Sequence, residues 1–325
     1  MNYRTYRQPV SRLTLQITDE CNLGCAYCFA RKDSNTGRFV SQEDFGYFLA
    51  FSLRTGMGGI RLTGGEPMLH PHIHRFVRLA IKAGLPVHIF SNLTIPDCIR
   101  GIDVPAMALS FLANINDRDT YGSNAWRILT ENLEQAATHR YQTVLAYTVH
   151  SPAFDLGHIK ELAVRNGIEK IRISPAMPMI GAGNRWLKQE DMPLFAESVY
   201  NLYCELAELG KRLVLDCPIP LCYIPREHLP FFLANLRLTG SCYFGISVDV
   251  NLNVGHCYIT NVLLEKRSLH SFANMPEMLD YMAGCMTELQ ERCPLFPICA
   301  DCDQQIQGRC SAGCFGIRHY AAHHV

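Results

Sequence analysis

Between Leu13 and Ser174, short apolar and β-branched runs alternate with stretches of helical periodicity. Leu13–Ile17, Ile60–Thr63, Val87–Ser91, Met107–Phe111, Val144–Val149 and Lys170–Ser174 read as strands. Amphipathic helices fall between them. Ser41 is an N-cap candidate for one that lines up Phe45, Phe48, Leu49 and Ser52. Pro71 suits the first turn of another, with Ile73, Phe76, Val77, Ala80 and Ile81 inward and a stop near Gly84 and Pro86. Further helices are predicted over Asn124–Thr138, Leu156–Asn166 and Asp191–Leu209. Six such units imply an α/β fold, a parallel sheet covered by helices. A full eight-unit barrel takes about 250 residues, so a partial (β/α)6 TIM-like barrel is predicted, with its chemistry at the carboxyl ends of the strands.

The pattern changes after residue 212, and a boundary is placed there: a barrel domain over 1–212 and a small cysteine-rich domain over 213–325. The second part opens on Cys217-Pro218-Ile219-Pro220-Leu221-Cys222. Ile246, Val248 and Val250 alternate with polar residues, Asn251-Leu252-Asn253 is a turn candidate, and Val254–Ile259 returns, which predicts a β-hairpin. A helix is expected near Pro276–Ala283.

The 325 residues carry 30 basic and 30 acidic side chains, a formal charge of zero, which excludes nucleic-acid or membrane-surface binding driven by net charge. No apolar run reaches the roughly 18 residues of a membrane helix. The N-terminus Met-Asn-Tyr-Arg-Thr-Tyr-Arg lacks the apolar stretch of a signal peptide, so a cytoplasmic location is expected.

Cysteine alters the picture. There are 15, with three in Cys21–Cys28 and five in Cys293–Cys314. In a reducing compartment such clusters suit metal ligation or catalysis better than disulfides. Cys21, Cys25 and Cys28 follow the first strand as C-x3-C-x2-C. Three thiolates on one loop can hold three irons of a 4Fe–4S cluster and leave the fourth open; a structural zinc loop is the alternative. The second strand ends in Thr63-Gly64-Gly65-Glu66-Pro67. There two glycines allow close backbone approach, and a carboxylate can accept bonds from an ammonium.

Together these motifs resemble the radical S-adenosylmethionine (SAM) superfamily over about residues 12–175. The resemblance implies that Cys21, Cys25 and Cys28 ligate the cluster and that Gly64, Gly65, Glu66 and Pro67 bind the methionine amino group. It places Tyr27 by the adenine and Ser91-Asn92 at the ribose or carboxylate, with Ser110 as a further contact. The implied chemistry is reductive cleavage of SAM to a 5′-deoxyadenosyl radical that abstracts hydrogen from a substrate.

The later cysteines read Cys242, Cys257, Cys293, Cys299, Cys302, Cys310 and Cys314. Zinc is a physical alternative here too. Their order resembles the SPASM extension of radical SAM enzymes, which implies one or two auxiliary 4Fe–4S clusters. By that pattern Cys242, Cys257 and Cys314 serve one, with Cys222 or Cys217 as fourth ligand. Cys299, Cys302 and Cys310 serve the other, whose fourth ligand is Cys293, a histidine near His323, substrate, or nothing. The pattern's last cysteine, beyond Cys314, is missing, and seven residues between Cys302 and Cys310 is longer than usual. His70, His72 and His74 are read as a turn into a solvated helix, His319 and His323 as a surface helix, and Cys98, Cys204 and Cys285 as small buried residues.

The expected function is peptide maturation: hydrogen abstraction from a peptide or protein, giving net oxidation or a crosslink. A dehydrogenase or epimerase acting on a sugar or aminoglycoside is the alternative, and a non-catalytic iron–sulfur electron carrier the second. Expected partners are the peptide or small-molecule substrate and an electron donor such as flavodoxin or ferredoxin. Twelve residues before the first strand are too few for a leader-binding domain, so a separate leader-peptide-binding protein or the barrel itself would recognise the peptide. No membrane or nucleic-acid partner is expected.

Overall fold

The structure is a computed structural model that describes residues 11–29, 36–115, 118–152, 154, 156–242 and 245–324. Seven parallel strands stand side by side in chain order: β1 (Leu13–Gln16), β2 (Ile60–Thr63), β3 (Val87–Ser91), β4 (Leu109–Ile115), β5 (Gln142–Val149), β6 (Lys170–Pro175) and β7 (Arg212–Leu215). Helices α1 (Gln42–Arg54), α2 (Ile73–Lys82), α3 (Arg118–Thr138), α4 (Gly157–Arg165) and α5 (Met192–Glu208) cover one face. The predicted partial barrel is present, and β7 adds a strand beyond residue 212 that pairs with β6 from Lys170↔Arg212 to Ile173↔Leu215. Hydrogen bonding in the sheet therefore runs across the expected boundary.

Alternation explains the packing. Leu13, Leu15, Ile60, Leu62, Ile89 and Phe111 are fully or almost fully buried toward the helices. Each such side chain stabilises the fold by about 1.5–3 kcal/mol. Ser41 caps α1 as predicted, its hydroxyl accepting from Asp44 N–H at 3.0 Å. Phe45 of α1 stacks on Phe76 of α2 with ring centroids 3.9 Å apart. The fourth strand lies two residues later than its pattern suggests, because Ala106–Ala108 form a 3-10 turn after Pro105. Within α3, Gly122 adopts φ 72° and breaks the helical geometry.

After β7, α6 (Leu229–Asn235) leads to β8 (Gly240–Ser241). The predicted hairpin is shorter than expected: β9 (Ser247–Val248) runs parallel to β1, and β10 (Asn253–Gly255) returns antiparallel. Leu252, buried with φ 58°, closes its turn by donating its N–H to Asp249 O at 2.9 Å. β11 (Arg267–Ser268) ends the ten-stranded sheet. The following helix, α7 (Met275–Arg292), extends well past Ala283, because Met282, Cys285, Met286 and Leu289 continue its buried stripe. α8 (Asp303–Ile306), β12 (Cys310–Gly313) and α9 (Phe315–His324) complete the chain, with β12 parallel to β8. No helix among the described residues is long and apolar enough to cross a membrane.

Candidate active site and cysteine groups at the carboxyl ends of the strands

The loop after β1 is held from both sides. Thr18 Oγ1 donates to Arg38 O at 2.8 Å and accepts from Glu20 N–H at 3.0 Å. Gly65 N–H donates to Thr18 O at 2.9 Å, and Glu66 N–H to Glu20 O at 2.7 Å. A Cβ on Gly64 would meet Thr18 O at 2.7 Å, and one on Gly65 would overlap the Glu20 carbonyl. The two glycines thus let the end of β2 lie flush against the residues that present Cys21.

Cys21 and Cys25 are half-buried and Cys28 exposed. Burial pushes the Cys21 thiol up to about 11, the Leu23 N–H opposes this, and the charges of Glu66, Cys25 and Cys28 add to it. The three sulfurs are thus electrostatic neighbours, and a cation that binds them must displace protons. Among the described residues no three His, Cys, Asp or Glu side chains converge on one point as a single-ion site requires. A 4Fe–4S cube takes its thiolates on separate irons, so three cysteines on a short loop fit it.

Glu66 is 1% exposed. Its Oε1 accepts from Met68 N–H at 2.9 Å and Ser91 Oγ at 2.7 Å, and its Oε2 from Asn92 N–H at 2.7 Å. Burial raises its pKa to about 7, against those three donors. The carboxylate therefore couples the ends of β2 and β3, and Ser91, expected at the cofactor, spends its hydroxyl on Glu66. Asn92 Nδ2 donates to Asn22 Oδ1 at 3.0 Å, and Asn22 Nδ2 to Thr94 Oγ1 at 2.8 Å. Asn22, unremarked in the motif, ties the cysteine loop to the end of β3.

Tyr27 stacks on His150, at the end of β5, with centroids 5.1 Å apart. His150 Nδ1 is buried without a hydrogen-bond partner. Nothing in the local sequence marks His150, because its relation to Tyr27 depends on the order of the strands. The segment after β6 lies along the same loop: Arg185 N–H donates to Ala26 O at 2.9 Å and Asn184 Nδ2 to Tyr27 O at 3.1 Å. Phe29 stacks on Tyr258 at 5.3 Å. A cavity of about 260 Å³ beside them is lined by Gln16, Asp19, Phe29, Met179, Asp249 and Tyr258. Another, of about 500 Å³, opens at the amino-terminal ends of β5 and β6, remote from this chemistry.

Ser110 is not brought to the site. It pairs with His88 in register and accepts or donates at His88 Nδ1, 2.7 Å away, three residues below Ala113, the partner of Ser91. Three residues of strand are about 10 Å. The later start of β4 is the cause. Lower in the sheet, Arg172 pairs with Asp216.

The histidine run binds within the protein. His70, buried rather than solvated, donates Nε2–H to Val40 O at 2.9 Å and accepts His72 N–H at Nδ1, while His74 reaches Cys98 O. His323 is exposed and stacks on His319 at 4.1 Å, as a surface helix allows. Cys98 and Cys285 are buried as expected, but Cys204 is exposed, because α5 turns that position to solvent.

In the C-terminal part, Cys242 and Cys314 directly follow the paired residues Ser241 and Gly313, and Cys310 pairs with Gly240. Cys242 Sγ lies 4.0 Å from His256 Nε2, which precedes Cys257. Cys299 and Cys302 share a tight turn, with Cys302 N–H donating to Cys299 O at 3.3 Å. Cys293, a ligand candidate by sequence, sits instead in an apolar nest with Met286, Leu289 and Phe315, where the charges acting on its thiol are Arg318 and Arg292. The end of α7 points it inward.

Residues 15–118 match the family model of the Radical SAM superfamily. The probable GTP 3',8-cyclase of Pyrobaculum aerophilum is 30% identical over 93 residues, 28% of this chain and 30% of that protein. The GTP 3',8-cyclase of Campylobacter fetus is 32% identical over 93 residues, 27% and 29% of the two chains. The chain thus spans under a third of the length of these curated relatives. Streptococcus suis SuiB bound to S-adenosylmethionine aligns with TM-score 0.69 at 14% identity, covering 94% of this chain and 72% of that one. Native anSMEcpe with bound AdoMet aligns at 0.70 and 15%, covering 93% and 88%. At such identities the likeness is one of fold, and it extends through the cysteine-rich part. The matched residues hold the three-cysteine loop and the Gly-Gly-Glu-Pro turn, so residues 15–118 are a radical SAM domain, whose cofactors are S-adenosylmethionine and a 4Fe–4S cluster.

Proposed function

We propose that this radical SAM enzyme acts on a peptide or protein and yields a net oxidation, such as a crosslink. When bound, the cofactors supply a 5′-deoxyadenosyl radical able to take hydrogen from an unactivated carbon. The chain's own residues divide the remaining work. Cys21, Cys25 and Cys28 would hold the cluster. Glu66 and the Gly64–Gly65 backbone would hold the amino group, with Ser91 and Asn92 N–H positioning the carboxylate. Tyr27 and His150 would flank the adenine, and the Asn184–Arg185 segment would limit water.

One observation carries the oxidative reading. Phe29, next to Cys28, stacks on Tyr258, next to Cys257, with ring centroids 5.3 Å apart, so the later cysteines approach the cofactor loop. A substrate radical must lose one electron and one proton to give an oxidised product. An electron acceptor held by those cysteines is well placed for the first. In support, chain-wide fold likeness extends to SuiB bound to precursor peptide SuiA and to anSMEcpe with Cp18Cys peptide, whereas the GTP 3',8-cyclase match covers 28% of this chain. A flavodoxin or ferredoxin as electron donor, and a separate leader-binding protein, complete the proposal.

The test is anaerobic turnover with SAM and a reductant against short peptides, especially products of neighbouring genes, read by mass spectrometry. A peptide lighter by two hydrogens, formed one-for-one with 5′-deoxyadenosine, is expected. A peptide of unchanged mass that gains deuterium from heavy water, or turnover of a sugar or of GTP alone, would overturn it.

A further inference from the structure

We propose that the amino-terminal end of the sheet, where β5, β6 and β7 begin, is a binding site for a small phosphate-bearing molecule, held by Arg140, Lys170, Arg212 and Arg237. It lies at the opposite end of the strands from the cysteine loop and the Gly-Gly-Glu-Pro turn. β6 alone rises about 17 Å from Lys170 to Pro175. A ligand here touches no cofactor and is bound without being transformed. Such a site is independent of which substrate the radical chemistry serves.

Two cavities meet there. One of about 500 Å³ is lined by Arg140, Tyr141, Asn166, Lys170 and Arg212, and one of about 320 Å³ by Lys170, Lys211, Arg212 and Arg237. Hollows of this size suit a small organic molecule. Lys170 and Arg212 belong to both, as register partners on strands about 4.8 Å apart. Glu169 is the one acidic side chain in either lining. Among the described residues none of the five cations is ion-paired, whereas Arg172, farther along β6, pairs with Asp216. Burial lowers the Lys170 pKa, and Arg212, Arg237 and Arg172 lower it further, with Asp216 opposing. Like charges gathered in this way repel one another, and a bound anion relieves them. Three of the four proposed contacts are arginines, whose planar forks match pairs of phosphate oxygens.

The backbone gives a second, independent sign. Four helices that feed strands of the sheet are followed by a glycine in the left-handed region: Gly56 after α1, Gly84 after α2, Gly167 after α4 and Gly210 after α5. Glycine adopts that conformation without steric cost. After α3 and α6 the same position holds Arg140 at φ 59° and Arg237 at φ 57°. A side chain is strained there, and both exceptions line these cavities. Attraction to the negative end of a helix dipole would account for Arg140 and Arg237, but Lys170 and Arg212 begin strands. Capping and ligand binding also predict different outcomes when Arg140 is replaced by glycine.

The experiment titrates the full chain, reconstituted anaerobically and saturated with SAM so that the cofactor site is filled, with fructose 1,6-bisphosphate in a calorimeter. Wild type should bind the bisphosphate and not fructose. Lys170→Gln, Arg212→Gln and Arg140→Gly should each weaken binding about tenfold, the loss of one charge-assisted hydrogen bond. Unaltered iron content shows that the variants fold. Arg127→Gln, which removes an exposed arginine paired with Glu131 elsewhere on α3, should leave affinity unchanged. Arg140→Gly should keep or raise the thermal midpoint, because glycine relieves the left-handed turn. No binding by wild type, equal binding of fructose, or undiminished affinity in Lys170→Gln and Arg212→Gln overturns the site. Equal weakening in Arg127→Gln reduces the effect to net charge and overturns it too. A lowered midpoint with unchanged affinity in Arg140→Gly overturns it in favour of helix capping. Hexaglutamate binding more tightly than the bisphosphate overturns the phosphate class in favour of an acidic peptide.

Discussion

Replacing Glu66 by Gln tests whether the buried carboxylate holds the cofactor's ammonium or only braces two strand ends. Gln can keep its oxygen toward Met68 N–H and Ser91 Oγ, but its amide nitrogen then faces Asn92 N–H, where Oε2 accepted at 2.7 Å. One buried donor is orphaned, at about 1–3 kcal/mol, while the charge assistance lost in the other two bonds is already contained in the net pKa rise. Against this, Gln removes the cost of burying a charge. The rise from the ordinary 4.5 to about 7 corresponds to about 3 kcal/mol. The terms nearly offset, so the variant should fold and keep its cluster, with stability within about 2 kcal/mol of wild type. Loss of the counter-charge should weaken SAM binding by about 1–3 kcal/mol, or about 5- to 150-fold. The raised pKa adds a pH signature. Wild-type Glu66 is neutralised as pH falls through about 7, so affinity should drop below that pH, while the Gln variant stays flat. Equilibrium dialysis of SAM with the reconstituted proteins from pH 6 to 8 (about one unit either side of that value) reads both effects. Equal affinity and equal pH dependence in the two proteins would refute a direct role for the carboxylate.

Gly65→Ala should drive the Glu20 carbonyl away and displace Cys21. Loss of about four irons, with the remaining iron retained, is expected on metal analysis. His88 is held at about 4, first by burial and then by Arg61, Arg12 and Arg172. The folded state therefore binds fewer protons than the unfolded one between about pH 4 and 6.5. Stability should fall by up to about 3 kcal/mol as pH drops through that window, and His88→Gln should flatten the urea-midpoint profile. Phe45→Ala empties a fully buried stacking position and should cost about 3–5 kcal/mol, seen as a lower thermal midpoint.

Periodicity and spacing are local properties, and they carried much of this protein. Alternation along Leu13–Gln16 and Ile60–Thr63, and the cap at Ser41, follow from which side chains can be buried by the nearest segments. The three-cysteine loop and the Gly-Gly-Glu-Pro turn were legible because each lies within a few residues. Partnership between distant segments was not. Whether Glu66 meets Ser91 and Asn92, and whether Tyr27 meets His150, depends on which strands end side by side. Ser110 misses the site because a 3-10 turn delays its strand by two residues, which the apolar run at Met107–Phe111 does not reveal. Nor does cysteine spacing reveal that the end of α7 buries Cys293, a ligand candidate by sequence. A thiol's neighbours are set by sheet register and by the path of the backbone, and these exist only in the folded chain.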